Sequence, residues 1–266
     1  MKDNLSLERK LYLKKLKRQK ILVNLSRVFI LIAFIGAWEL FARLEIIDSF
    51  LMSMPSKIFS TVIDLYASGE LYTHVFTTLY ETVLGFLIAT TVGTTIALML
   101  WWSDFLREIL EPYLVVLNSL PKIALGPIII VWFGAGTKSI VFMAVLITVI
   151  VTIITMLNGF LSVEQSKILL MRSLGASKLQ MLYKLVLPYS IPTFISCLKI
   201  NVGMAWIGSI MGEYLVSKQG IGYLIVYGGQ VFRLDLVMAS TVILCLLAGI
   251  MYALVAILEK ILVKKK

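Results

Sequence analysis

Charged residues are scarce in this sequence. Asp, Glu, Lys and Arg make up 15% of its 266 residues, whereas hydrophobic residues make up 59%. Soluble domains carry roughly 25% charged residues, so the composition argues against a soluble domain and predicts an integral membrane protein. A spanning helix needs about 20 apolar residues, and a chain of this length has room for about six of them. We therefore expect one polytopic, all-α membrane domain.

The residue types that support catalysis and metal binding are also few. His74 is the only histidine, and we expect its side chain to be solvated or to lie at the membrane interface. Cys197 and Cys245 fall within apolar runs and are interpreted as buried small hydrophobic residues. We find no metal-ligand spacing and no paired carboxylates within the predicted spans. The sequence therefore predicts no metal and no catalytic residue, and it argues against an intramembrane enzyme.

A nucleotide site is missing as well. The stretch from Gly134 to Ser139 superficially resembles a phosphate-binding loop, but such a loop needs glycine directly before the lysine, and here that residue is Thr137. We interpret the stretch as a tight turn between two spans. Any ATP hydrolysis linked to this chain must therefore occur on another polypeptide, and we expect no cofactor of its own.

Six apolar stretches predict the spans, and the segments between them predict the domain organisation. We expect a basic cytosolic N-terminal arm (1–27), a first span and external segment (28–69, with one or two short interfacial helices in 43–77), a main membrane domain (70–258) and a basic cytosolic tail (259–266). The predicted spans are 28–42, 78–102, 113–133, 139–160, 189–211 and 234–258.

The distribution of basic residues predicts the orientation. With the N-terminus inside, the inner segments 1–27, 103–112, 161–187 and 259–266 carry 18 Lys and Arg residues, and the outer segments 45–77, 134–138 and 214–232 carry three. Cytosolic loops are enriched in Lys and Arg. Both termini and the loop 161–187 are therefore predicted to be cytosolic. The same pattern accounts for the net charge of +10 without a nucleic-acid partner.

The third and fifth predicted spans contain candidate pathway or interface residues. In the third span, Pro121 and Pro127 remove backbone donors, so either Lys122 reaches to the membrane surface or a broken helix lines a pathway. In the fifth span, Lys199 either pairs with a neighbour or faces a cavity. The candidates are Lys199, Asn201, Gly208 and Gly212 along this helix and Glu213 at its outer end. Gly208 and Gly212 form a small-xxx-small pair that permits close packing against another span or a second copy of the chain.

The polar segment 162–192 is the most informative part of the sequence. It predicts two short helices, 163–174 and 178–186, that meet at Gly175, which can supply a left-handed cap. We expect the second helix to present Leu179, Leu182, Tyr183 and Val186 on one side and to end at Pro188. Taken alone, the segment fits either docking to a partner or contact with lipid headgroups.

This segment resembles the EAA signature (EAA-x3-G-x9-I-x-L-P) of permease subunits of bacterial ABC importers, through Gly175, nine intervening residues and then Leu185-Val-Leu-Pro188. Pro121 to Gly134, Glu213 and Gly220 to Leu224 are similar to segments of the nitrate/sulfonate/taurine-type permeases, as is Asp235-Leu-Val237. The resemblance covers about residues 70–258. One departure stands out, because Leu169-Leu-Met171 replaces the usual Glu-Ala-Ala.

The resemblance implies a type I ABC importer permease fold with cytosolic coupling helices and no enzymatic activity of its own. It implies a second permease copy as a homodimer, two cytosolic ATP-binding subunits and an extracytoplasmic solute-binding protein, in a bacterial cell membrane. The residues that it assigns to ATPase coupling are Arg172, Gly175, Ala176, Ser177, Leu185, Leu187 and Pro188. Family substrates are small anions such as sulfonates and nitrate, thiamine-pyrimidine and riboflavin-like compounds. A stand-alone secondary transporter or channel, or a membrane scaffold, is the alternative.

Overall fold

Residues 7–263 are described by a computed structural model, and the elements of this part of the chain are all helices joined by turns, without a strand. The first six residues of the predicted basic arm and the last three of the predicted basic tail lie outside the described residues. The helices are α1 (Leu7–Arg43), α2 (Pro55–Ala67), α3 (Glu70–Trp102), α4 (Asp104–Ser119), α5 (Gly126–Phe133), α6 (Thr137–Leu161), α7 (Gln165–Ser173), α8 (Lys178–Met181), α9 (Leu187–Val216), α10 (Ile221–Gln230) and α11 (Leu234–Val263).

Within residues 7–263, five stretches are long and apolar enough to cross a membrane: Tyr12–Arg43, Glu70–Trp102, Thr137–Leu161, Lys178–Val216 and Leu234–Leu262. A sixth crossing is present if α4 and α5 together form one broken span. The predicted all-α, polytopic membrane fold is therefore confirmed.

The predicted third span, 113–133, is not one helix. α4 and the 3-10 turn plus α5 that follow it are bent by 85°. Leu120 precedes Pro121 and has extended backbone angles, which is the conformation that a following proline favours. α5 has eight residues and is therefore only about 12 Å long, too short to cross a bilayer core of about 30 Å by itself.

The N-terminal part of the chain also differs from the prediction. α1 runs without a break from the basic residues into the predicted first span, so 27/28 is not a boundary of secondary structure. The predicted external segment contains one helix, α2, and the second span begins at Glu70 instead of residue 78. Gly69, with φ of +78°, provides the left-handed residue that separates α2 from α3.

Helices α3, α6 and α9 form the centre of the bundle. Gly208 and Gly212 of α9 lie against the backbone of α6 at Ala144 and Ile140, where a Cβ atom on either glycine would overlap with it. Of the two possible partners for this small-residue pair, the structure shows a span of the same chain. Asn201 of α9 donates a hydrogen bond to Thr90 of α3 (3.0 Å) and accepts one from Thr152 of α6 (3.2 Å). The buried amide therefore ties all three helices together.

The prediction that Pro188 ends a helix is wrong. α8, a π turn from Leu182 to Val186 and α9 form one continuous helical stretch from Lys178 to Val216, so Pro188 does not end a helix. Proline inside a helix lacks a donor and clashes with the preceding turn. The π turn ends at Val186, two residues before the proline, and its five-residue hydrogen bonds widen the helix on that side. Cys197 is buried as predicted, but Cys245 on α11 is exposed.

Candidate functional site

The segment between α6 and α9 (residues 162–186, here called the α7–α8 segment) turns sharply at Gly175. This glycine has φ of +74°. The N–H of Ala176 donates to the carbonyl of Met171 (3.0 Å), and the N–H of Gly175 donates to that of Arg172 (2.9 Å). This pair of hydrogen bonds is a Schellman motif, which satisfies the last carbonyls of α7. The left-handed cap predicted at Gly175 is present.

Ser177 begins α8 with a second capping motif. Its hydroxyl accepts a hydrogen bond from the N–H of Gln180 (3.2 Å), and the Gln180 side chain accepts one from the N–H of Ser177 (2.9 Å). This reciprocal arrangement is a capping box, which the spacing of Ser177 and Gln180 could have indicated. Lys178 donates to the carbonyl of Trp102 (2.6 Å), so α8 is fixed to the end of α3. The segment is therefore held in one shape by its own hydrogen bonds.

The apolar side chains of the segment fall into two groups. Met181, Leu182 and Val186 are buried, and Leu185 and Leu187 pack beside them. By contrast, five large apolar side chains are between 53% and 74% exposed, and we call them the apolar segment surface: Leu169, Leu170, Leu174, Leu179 and Tyr183. The prediction that Leu179, Leu182, Tyr183 and Val186 share one side is thus wrong, because the π turn lies between α8 and α9 and only Leu182 and Val186 face the bundle.

The other residues assigned to coupling occupy different positions. Arg172 and Ser177 are exposed, and Ala176 is half-buried. Leu185, Leu187 and Pro188 are half-buried, and both leucines pack on the core at the end of the bundle. Part of the assigned set therefore lies in an exposed turn, and the rest lies where the segment packs against the bundle.

The basic candidates of the predicted pathway both have partners. Lys122 donates to the carbonyl of Asn118 near the end of α4 (3.1 Å). Lys199 forms an ion pair with Glu259 of α11 (2.6 Å) and lies 5.9 Å from the centre of the Tyr252 ring. Of the two alternatives for Lys199, the structure shows pairing with a neighbour. Pro121 and Pro127 are exposed and flank the 3-10 turn.

At the opposite end of α9, residues 217–222 form a turn into α10, here called the α9–α10 turn. Three of its N–H groups are bound by side chains of α3 and α9. Gly220 donates to Nδ1 of His74 (2.9 Å), Ile221 to Thr78 (2.8 Å) and Gly222 to Glu213 (2.5 Å). The prediction for His74 is therefore wrong, since the residue is buried and its ring stacks on Tyr223 at 5.9 Å. It was wrong because the second span begins earlier and includes this histidine.

A buried carboxyl pair lies behind this turn. Glu81 of α3 and Glu213 of α9 are each 1% exposed, and their carboxyl groups are within hydrogen-bonding reach of each other. The expectation of no paired carboxylates within the spans is therefore wrong. Glu81 stands alone in a long apolar stretch, which is itself a sign of an unusual environment in a membrane protein. Its pairing with Glu213 depends on the packing of α3 against α9.

The described residues contain no group of three or more His, Cys, Asp or Glu side chains placed to hold a metal ion. A cavity of about 340 Å³ borders Glu81 and is lined also by Thr77, Thr137, Ser217 and Lys218. The chain thus offers two distinct regions, one at each end of α9: an exposed capped turn and a turn closed over buried carboxyl groups.

Comparison with known proteins places this arrangement in a family. The sequence profile described as "Binding-protein-dependent transport system inner membrane component" matches residues 82–266. A putative aliphatic sulfonates transport permease protein of Bacillus subtilis is 27% identical over 86% of this chain and 83% of its own length. A formylaminopyrimidine transport permease protein of Halalkalibacterium halodurans is 32% identical over 70% of this chain and 74% of its own length.

A solved structure supports the fold. The bacterial alginate ABC transporter in complex with alginate pentasaccharide-bound periplasmic protein contains a chain that is 17% identical and has a TM-score of 0.63. The superposition covers 93% of this chain and 96% of that one. The profile match and the shared bundle lead to one conclusion: this chain belongs to the inner membrane components of binding-protein-dependent transport systems.

Proposed function

We propose that this chain is the permease subunit of an ATP-driven ABC importer for a small polar or anionic solute, of the sulfonate/nitrate/taurine-like or vitamin-precursor-like kind. The observation that carries the proposal is the α7–α8 segment, a rigid, doubly capped turn at one end of the bundle that displays apolar side chains. The relatives' names, which include sulfonate and formylaminopyrimidine permeases, support the solute class.

The proposal includes the partners that such a subunit needs. Two cytosolic subunits bind and hydrolyse ATP, so the chain itself is not an enzyme and needs no cofactor. A second copy of the chain completes the pathway, and an extracytoplasmic binding protein delivers the solute, as the periplasmic protein in the alginate transporter complex supports. Both termini lie in the cytosol of a bacterial cell, in agreement with the bias of basic residues.

The contact with the ATPase is apolar in this proposal. Leu169 and Leu170 occupy positions where the EAA signature has Glu and Ala, and each is 60% exposed. Leu174, beside the Gly175 cap, is 74% exposed. Exposed large apolar side chains that cluster in one short segment mark interaction sites more often than scattered ones do. We therefore assign the docking energy to these leucines, and not to a carboxylate.

The pathway residues give little basis for solute selection. Lys199 is neutralised by Glu259, which leaves Lys122, whose ammonium donates to the Asn118 carbonyl, as the one of these two lysines without an acidic partner among the described residues. We therefore assign the choice of solute to the binding protein. The transport step itself is alternating access, in which ATP binding and hydrolysis shift an assembly with two conformations.

The experiment is co-purification of the tagged chain with its ATPase from detergent-solubilised native membranes. Leu174→Glu is the test variant, and Gln165→Glu is the control, because it adds the same charge at an exposed position of α7. We expect the control to retain the ATPase and Leu174→Glu to weaken its binding about 30-fold, the equivalent of about 2 kcal/mol for an interface hot spot.

Two other results would contradict the proposal in different ways. If no ATPase accompanies a folded wild-type chain, the stand-alone transporter is the better explanation. If the ATPase is retained equally by wild type and Leu174→Glu, the apolar segment surface does not dock it. Binding of the two purified chains to anionic vesicles would then show whether this surface contacts lipid headgroups.

A further inference from the structure

We propose that Glu81 and Glu213 form a proton-binding site, in which one shared proton holds the α9–α10 turn against α3 and α9. The proposal concerns the isolated chain and does not depend on the proposed function. Both residues are 1% exposed. If both carboxyl groups were ionised, Oε2 of Glu81 and Oε1 of Glu213 would each be buried without a hydrogen-bond donor.

Two buried carboxylates in contact would repel each other strongly, because neither charge is solvated. No lysine or arginine of the described residues lies within ion-pairing distance of either group. A single proton neutralises one of the two carboxylates. The protonated oxygen then donates a hydrogen bond to the unpaired oxygen of the other glutamate. One proton therefore resolves both the repulsion and the missing hydrogen bonds.

The groups around the pair provide hydrogen-bond donors, but no cation among the described residues forms an ion pair with it. Glu213 accepts from the N–H of Gly222, and Thr78 lies within hydrogen-bonding reach of it. Thr137 at the start of α6 is in reach of Glu81. The titratable or charged side chains nearby are His74 on α3, Tyr214 on α9, Lys218 in the turn and Tyr223 on α10.

A proton fits this site better than a metal ion. Calcium and magnesium take six or more oxygen ligands in most protein sites. The described residues place no third acidic, histidine or cysteine ligand beside the pair. Glu81 also borders the cavity that contains Lys218 and Ser217, so the pair can exchange its proton through that cavity.

The proton has a structural consequence for the turn. Glu213 binds the N–H of Gly222, and a Cβ atom on Gly222 would lie 2.8 Å from the same carboxyl oxygen. A Cβ atom on Gly220 would overlap with the Glu213 carboxyl group. The backbone of the turn therefore packs closely against the Glu213 carboxyl group. Loss of the shared proton would place two charges in the same space and release the turn, so we expect alkaline pH to loosen it.

The test is infrared spectroscopy of the full chain in lipid nanodiscs as the pH is raised. The protonated pair gives a carbonyl stretch of a carboxylic acid that disappears at high pH. In Glu81→Gln and in Glu213→Gln, the remaining carboxyl has no charged neighbour when it ionises, so the midpoint should fall by about one pH unit or more. The band is absent in the double variant, and exposed Glu108→Gln, the control, behaves as wild type.

The wild-type titration needs no substitution, so the test remains decisive if a variant misfolds. The exposed carboxyl groups are ionised at neutral pH, so the proposal is overturned if the wild-type chain shows no such band there, or if the band persists there in the double variant. It is also overturned if one single variant abolishes the band and the other leaves its midpoint unchanged, because the proton then belongs to a single glutamate.

The effect on the turn is measured by hydrogen–deuterium exchange at one pH above the wild-type midpoint. We expect the peptide that contains residues 220–223 to exchange faster in the wild-type chain than in the double Gln variant, in which amides replace the charges. Equal exchange in the two proteins would show that the proton does not hold the turn.

Discussion

The two ends of α9 carry turns of opposite character. In the α9–α10 turn, three successive N–H groups are bound by His74, Thr78 and Glu213 of the same chain. In the α7–α8 segment, the backbone is satisfied by local caps and the large apolar side chains remain exposed. The first turn is completed within the chain, whereas the second leaves five large apolar side chains exposed, where we propose that the ATPase docks. The exposure of its side chains, and not sequence similarity alone, is what favours a docking role for the α7–α8 segment over the α9–α10 turn.

The glycines of the two turns show the same contrast. Gly220 and Gly175 both have positive φ, +111° and +74°. A Cβ atom on Gly220 would meet the carboxyl group of Glu213, whereas nothing lies within 4 Å of one placed on Gly175. Both positions thus favour glycine because the backbone is left-handed. Only at position 220 would a side chain also overlap with a neighbouring group. The substitutions below separate these two requirements.

The largest effect is expected for Gly220→Ala. The left-handed backbone costs a non-glycine residue on the order of 1–3 kcal/mol, and the overlap with Glu213 adds a similar amount, so we expect about 3 kcal/mol or more in total. The measurement is the thermal unfolding midpoint of the purified chain in detergent. Gly229→Ala on α10 is the control, because nothing lies within 4 Å of its Cβ position. Equal losses for both variants would show that the Glu213 carboxyl does not shape this turn.

A smaller effect is expected for Gly175→Ala. Only the backbone conformation is penalised there, by roughly 1–2 kcal/mol, since the Cβ atom enters open space. We expect the global unfolding midpoint to remain close to that of wild type and the affinity for the ATPase to fall between about 5-fold and 30-fold.

Gly175→Asn is the matched variant, because asparagine tolerates the left-handed conformation better than alanine. It should therefore retain more ATPase than Gly175→Ala in the same co-purification. If alanine and asparagine behave alike, the conformation of Gly175 is not what the partner requires.

The sequence was sufficient to predict much of the fold and the existence of the exposed turn. Long apolar runs predict the spans, and Gly175 with Leu187-Pro188 predicts the capped segment, because these features are local. The extent of helices at Pro188 and Glu70 was not predictable in this way. Whether a proline ends a helix or lies behind a π turn depends on the packing of Leu182 and Val186, which the local pattern does not contain.

The buried carboxyl pair was missed for a similar reason. Glu81 and Glu213 lie on helices far apart in the chain, and only the packing of α3 against α9 brings them together. A single acidic residue in a span indicates a special environment but does not name its partner. Lys199 shows the same limit: the sequence left pairing and a cavity as alternatives, and the position of Glu259 on α11 decided between them.

The smallest effect is expected for removal of that ion pair. Both side chains are partly exposed, 24% for Lys199 and 40% for Glu259, and ion pairs at such positions contribute little to stability. We expect the double variant Lys199→Met/Glu259→Met to unfold within about 2 °C of wild type. Each single variant leaves one unpaired charge near the apolar phase, so it should be less stable than the double variant.

The same variants test whether Lys199 belongs to the transport pathway. If Lys199 only neutralises Glu259, the double variant transports solute with an unchanged apparent affinity. If Lys199 instead contacts an anionic solute, every variant that lacks this lysine loses affinity, whatever residue stands at 259.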